Sequence, residues 1–95
     1  MRIENIVCSQ RTEIKLESKH NVTLREARQV FFGNPRIRFA EKGHTIGEDV
    51  YVAFGQTLGG RYLSVFFIYK PARQTGVIIS ARDMSDKERK AYGRK

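Results

Sequence analysis

Two hydrophobic periods divide the chain. Leu24, Ala27, Val30 and Phe31 recur at i, i+3, i+6 and i+7. That spacing lays apolar groups along one helix face, so an amphipathic helix is predicted over Leu24–Phe32. Thr23-Leu24-Arg25-Glu26 opens it with capping-box spacing, a hydroxyl and a carboxylate three residues apart. Gly33-Asn34-Pro35 stops it. Upstream, Ser9 is placed to cap a segment from Gln10 to Ser18, where Ile14 and Leu16 give only a weak apolar face. Lys19-His20-Asn21-Val22 breaks that segment, with Asn21 suited to a left-handed helix end. Residues 1–33 therefore read mainly as helix.

Beyond Pro35 the period shortens to two. Ile37 and Phe39 alternate with Arg36, Arg38 and Ala40, and a polar loop follows from Glu41 to Gly47. Val50, Val52 and Phe54 alternate with Tyr51 and Ala53, and Leu58-Gly59-Gly60 turns the chain. Tyr62 to Tyr69 is apolar on both faces apart from Ser64, the pattern of a central strand. Lys70 to Thr75, with Pro71, forms a loop, and Val77 to Ala81 is a fourth strand. Ser85-Asp86-Lys87-Glu88 is a second capping box, opening a short basic helix to Tyr92. Strands joined by short loops pair antiparallel, because a parallel return needs a long crossover. The expectation is one α+β domain over residues 1–95: a four-stranded antiparallel sheet with two N-terminal helices and one C-terminal helix.

Bulk properties narrow the function classes. At 95 residues the chain has length for one modest core and not for a two-domain enzyme. Its longest apolar stretch, Val65 to Tyr69, is far shorter than the roughly 20 residues of a spanning helix. No apolar run near the N-terminus has secretory-leader length. Cys8 is the single cysteine, so no intrachain disulfide and no cysteine-based zinc site forms, and a cytoplasmic location is expected. Charge changes the picture most. Eighteen Lys and Arg against ten Asp and Glu leave a net +8. Such a domain attracts polyanions, with nucleic acid the leading partner class, an acidic protein the second, and no membrane partner. The cations are spread along the whole sequence, so folding must assemble any binding surface.

The chain carries no nucleophile elbow, phosphate loop, HExxH or paired CxxC. It has two histidines, His20 and His44. Carboxylates at Glu48-Asp49 and at Asp83, Asp86 and Glu88 fit helix capping and charge balance better than a metal site, and no cofactor is expected. A metal nuclease built on Asp83, Asp86 and Glu88 is the weakest reading. Guanidinium, ammonium and hydroxyl groups are plentiful, and metal-free RNA cleavage needs little else. The 2′-hydroxyl attacks the adjacent phosphorus, arginine forks neutralise the growing charge, and a base and an acid move the protons. Arg61, Arg82, Arg89 and Tyr92 flank the third and fourth predicted strands and the last helix, while Lys19 and His20 sit at the first helix junction. Each also has a plain structural role: pairing with Asp83 or Asp86 for Arg82, a solvated turn cation for Arg61, surface pairs with Asp86 for Arg89 and Lys90, helix docking for Tyr92, packing or capping for His20. Arg36 and Arg38 share one face of an early strand, an RNA track or simply its wet face.

In order along the chain, three groups of residues resemble the BrnT-like toxins. The first is Lys19-His20-Asn21-Val22-Thr23-Leu24-Arg25-Glu26-Ala27 with Val30-Phe31-Phe32 and Pro35; the second is Glu48 to Gly55 with Gly60-Arg61-Tyr62-Leu63, Val65 and Phe66; the third is Ile78-Ile79-Ser80-Ala81-Arg82 with Lys87-Glu88-Arg89 and Tyr92. The resemblance implies a RelE-like fold and the toxin of a type II toxin–antitoxin pair. It implies a metal-independent endoribonuclease that cleaves mRNA and inhibits translation. The implied partner is a BrnA-like ribbon–helix–helix antitoxin, and operator DNA is reached only through it. Carried over by position, Arg61, Arg82, Lys19, His20 and Tyr92 are the catalytic candidates, with Arg89 and Lys87 as RNA-binding cations; Lys90 and Arg38 join these by their place beside them along the chain. The chain departs from the family pattern at Cys8-Ser9 and Leu16, and has Val50, Thr75 and Val77 where basic residues are usual. A second reading follows from those departures: a module that binds RNA or an acidic antitoxin without cleavage.

Overall fold

A computed structural model describes residues 1–94. Its elements run β1 (Asn5–Val7), α1 (Gln10–His20), α2 (Leu24–Phe32), β2 (Arg36–Glu41), β3 (Val50–Gln56), β4 (Tyr62–Lys70), β5 (Thr75–Asp83) and α3 (Asp86–Gly93), with a short 3-10 turn at Pro71–Arg73. Local chemistry sets the helix ends. The Ser9 hydroxyl accepts from the Thr12 amide, and Thr23/Glu26 and Ser85/Glu88 form complete capping boxes. Asn21 is left-handed at φ 53°. Its amide donates to Glu17 O and that of Val22 to Leu16 O, closing the last turn of α1 two residues beyond the predicted Ser18.

The sheet has five strands rather than the expected four, in the order β1-β5-β4-β3-β2, and it is mixed rather than purely antiparallel. β1 pairs in parallel with β5, Asn5 opposite Thr75 and Val7 opposite Val77. Three residues with only Ile6 buried are too few to display a period, so β1 is invisible until β5 offers it an edge. The same pairing starts β5 at Thr75 rather than Val77. β4 is central, as its two-faced apolar pattern implies.

The two faces of the sheet differ. Leu63, Val65 and Phe67 of β4, Ala53 of β3, and Ile78 and Ala81 of β5 pack with Leu16, Val22, Ala27, Val30 and Phe31 under the N-terminal helices. Phe31 meets Phe67 edge to face at 5.0 Å. Ile14, counted toward the apolar face of α1, instead points outward at 60% exposure. By the alternation of a strand, Tyr62, Ser64, Phe66 and Ile68 face the other way. Among the described residues only α3 crosses that second face, and none of its residues is buried. No helix among the described residues is long and apolar enough to cross a membrane.

α2 rides close on β3 at Gly55, where a Cβ would lie 2.9 Å from Val30 Cγ1. Gly55→Ala is expected to cost about 1–3 kcal/mol through overpacking. At exposed Gly59 an added Cβ finds nothing nearer than 3.9 Å, and Gly59→Ala is expected to be near neutral. Urea denaturation of the two variants checks the difference.

Candidate functional site

Arg61 stands where four segments meet. The Gly59-Gly60 turn, with Gly60 at φ 92°, delivers it to the start of β4. Its Nε and Nη2 donate to the two carboxylate oxygens of Asp83 at 2.7 and 3.2 Å. Nη1 donates to Asn21 O at 2.6 Å and to Glu26 Oε1 at 3.3 Å, and Nη2 also reaches His20 O at 3.2 Å. One guanidinium thus satisfies carbonyls at the C-terminal end of α1 while facing the carboxylate that caps α2. The Arg61 hydrogen bonds hold the Asp83 carboxyl below its ordinary range against opposing desolvation. Glu26 is lowered first by the Thr23 amide and then by Arg61, again against desolvation. Lys19 and His20 lie at this junction with exposed side chains.

Arg82 lies on the opposite face of the sheet. Adjacent strand residues point opposite ways, and its neighbour Asp83 is the one that meets Arg61. Arg61 and Arg82, both catalytic candidates from the sequence, therefore do not converge on one phosphate in this fold. Arg82 grips Glu88 with both terminal nitrogens, at 2.7 and 2.9 Å, and sits 5.3 Å from the Phe66 ring centroid. Glu88 also accepts from buried Ser64 Oγ at 3.1 Å and from the Ser85 amide at 2.8 Å. Arg82 first, with these further donors, pulls the Glu88 carboxyl down to about 2 despite its partial burial. This clip ties α3 to the sheet.

Around the clip lies a groove of about 250 Å³. Phe54 and Ala91 give it apolar surface, and Arg36, Arg38, Lys87 and Tyr92 rim it beside Glu88. The Arg36 guanidinium lies 5.8 Å from the Tyr92 ring centroid and donates to Arg94 O. Tyr92 meets Tyr62 edge to face at 6.0 Å, and Arg89 covers the Tyr62 ring at 4.1 Å. Among the described residues, Arg36, Arg38, Lys87 and Arg89 form no ion pair, while Arg61 and Arg82 are both fully engaged. The structure thus gathers Arg38, Lys87, Arg89 and Tyr92 about α3 and leaves Lys19, His20 and Arg61 at the α1–α2 junction. Lys90 lies exposed in the last turn of the same helix. Arg36 and Phe54 join the groove without having been singled out as site residues. The available signal was the Arg36/Arg38 alternation, which a solvated strand face shows equally well.

The groove thus offers cations and a phenol around an apolar floor, chemistry able to hold an anionic chain. No three His, Cys, Asp or Glu side chains among the described residues are grouped to hold a metal ion. Asp83 and Glu88 are held on opposite faces by different arginines.

Compared with known proteins, residues 10–88 match the model of the family described as the ribonuclease toxin BrnT of type II toxin–antitoxin systems. No curated protein matches the chain.

Arg61→Ala is expected to lower stability by about 2 kcal/mol, since two carboxylates and two helix-end carbonyls lose their donor. Arg61→Lys should not restore it, because one ammonium cannot reproduce the fork. Urea titrations check both. Acid has a predictable effect as well. Glu88 titrates near its ordinary 4.5 when unfolded and near 2 when folded. Its contribution is therefore complete above the unfolded value and lost as pH falls through that window. Glu26 and Asp83, both lowered, act in the same sense. Stability measured against pH should drop in this acidic range, and Glu88→Gln should flatten part of the drop.

Proposed function

The chain belongs to the BrnT family of ribonuclease toxins of type II toxin–antitoxin systems, and from that premise we propose that it is a metal-independent endoribonuclease that cleaves mRNA and halts translation. Membership implies an RNA substrate and a protein antitoxin. The observation that carries the finer reading is the groove beside α3, where cations without carboxylate partners surround a phenol. RNA phosphates lie along Arg36, Arg38 and Lys87, with Arg89 at the neighbouring turn of α3. The 2′-oxygen attacks the adjacent phosphorus and loses its proton, the bond to the 5′-oxygen breaks, and that oxygen is protonated. The products are a 2′,3′-cyclic phosphate and a 5′-hydroxyl. The guanidinium and ammonium groups stabilise the charge growing on the phosphorane oxygens. Tyr92 is the proton-transfer group nearest that charge. Arg61 and Arg82 act as positioning residues, the first holding the helix junction and the second holding α3.

The antitoxin is proposed to be a BrnA-like ribbon–helix–helix protein that carries the pair to operator DNA, and both partners to act in the cytoplasm. The toxin's +8 charge suits an acidic neutralising segment. A second reading, RNA or antitoxin binding without cleavage, is favoured by one observation: neither histidine lines the groove.

One experiment separates them. Purified toxin with a chelator is incubated with mRNA, and the new ends are analysed. Cyclic phosphate ends are expected, with Tyr92→Phe slowing cleavage about 100-fold. RNA left intact by the wild-type protein, yet retained in a binding assay, favours the module without catalysis. Arg38→Ala and Lys87→Ala should each reduce the salt dependence of single-strand binding by about 0.7 in the log–log slope. Binding measured at several salt concentrations checks this.

A further inference from the structure

A second concavity opens on the other flank of α3, lined by Gly60, Arg61, Tyr62, Asp83, Met84 and Arg89. We propose that it is a nucleobase subsite that takes the base next to the bound phosphates and favours bases bearing an exocyclic amino group over uracil. The proposal rests on the ribonuclease reading and adds to it a source of sequence preference.

Three features carry it. The first is a stacking surface. The Tyr62 ring is already covered by a guanidinium at 4.1 Å, so the space over that face fits a flat group. Arg89 is exposed and has no ion pair among the described residues, so a base can displace it toward the backbone phosphate. Aromatic faces and arginine planes are the usual platforms for unpaired bases. The second is a carboxylate with acceptor capacity to spare. Each Asp83 oxygen takes one hydrogen bond from Arg61, and the side chain remains 63% exposed. A carboxylate accepts about four hydrogen bonds, so acceptor capacity remains toward the cleft. Arg61 keeps this group ionised. Adenine, cytosine and guanine each present an amino group to it, whereas uracil presents one N–H flanked by two carbonyl oxygens that the charge repels. Buried Met84 supplies an apolar wall. The third is continuity. The edge contact of Tyr62 with Tyr92, at 6.0 Å, joins this cleft to the phosphate groove, so one nucleotide spans both.

The test uses the full chain and uncleavable 2′-O-methyl oligonucleotides, a uridine tract with A, C, G or U at one central position. Fluorescence anisotropy is read at fixed salt and then across a salt series. The three amino-bearing bases are expected to bind roughly 10-fold more tightly than uridine. Tyr62→Leu should abolish that difference while retaining the salt slope. Asp83→Asn should shift preference toward uridine, since an amide donates to its carbonyls. Tyr62→Leu leaves the Arg61 ion pairs in place and decides the matter even if Asp83→Asn does not fold. Equal binding of all four oligonucleotides, or a preference that survives Tyr62→Leu, overturns the subsite and leaves the ribonuclease reading standing. Absence of binding to any of them, even at low salt, overturns both.

Discussion

The guanidinium of Arg61 is the point on which the arrangement of this protein turns. The last carbonyls of α1, the capping carboxylate of α2 and the end of β5 all converge on it. A helix C-terminus carries partial negative charge, and two carboxylates beside it would repel without a cation between them. A single planar fork serves because its donors diverge within one plane while the charge stays delocalised. Fixing this junction fixes how the helical pair lies over the sheet, and with it which sheet face is closed.

The other face follows from what remains. The helix across it, α3, buries no residue and is held by a bidentate ion pair, a serine hydroxyl and an aromatic edge contact. An exposed ion pair contributes little by itself. The Arg82–Glu88 pair gains from its fork geometry and from Ser64, which is fully buried beneath it. The carboxylates nearest the groove are thus each paired with a scaffold arginine, Asp83 and Glu26 with Arg61 and Glu88 with Arg82. Arg38, Lys87 and Arg89 are left exposed and half-buried Arg36 lies among them with no carboxylate partner, so a +8 chain gains a cationic face rather than diffuse positive charge.

Local rules were enough for much of this. The capping hydroxyls of Ser9, Thr23 and Ser85, the left-handed turn at Asn21, the alternation through β2 and β3 and the two-faced apolar run of β4 all depend on residues within a few positions of one another. Such features are legible from the chain because their energetics close locally. The ordered BrnT-like motifs were legible for a different reason, since side-chain identities at matched positions carry family membership directly.

Tertiary structure alone decided the rest. β1 exists because β5 presents a free edge to three residues that show no period of their own. Arg61 and Arg82 look equivalent as cations near strand ends, yet strand alternation sends them to opposite faces, Arg61 to partners 22 to 41 residues away and Arg82 to Glu88 six residues on. Arg36 becomes part of a groove only when α3, more than fifty positions later, is laid across it. The chain by itself determined which elements form and where their charges lie along it. Which of those charges neutralise each other, and which are left free to meet a ligand, is set by how the folded strands and helices meet, as Arg61 shows with Glu26 and Asp83, and such contacts between distant residues have no local signature.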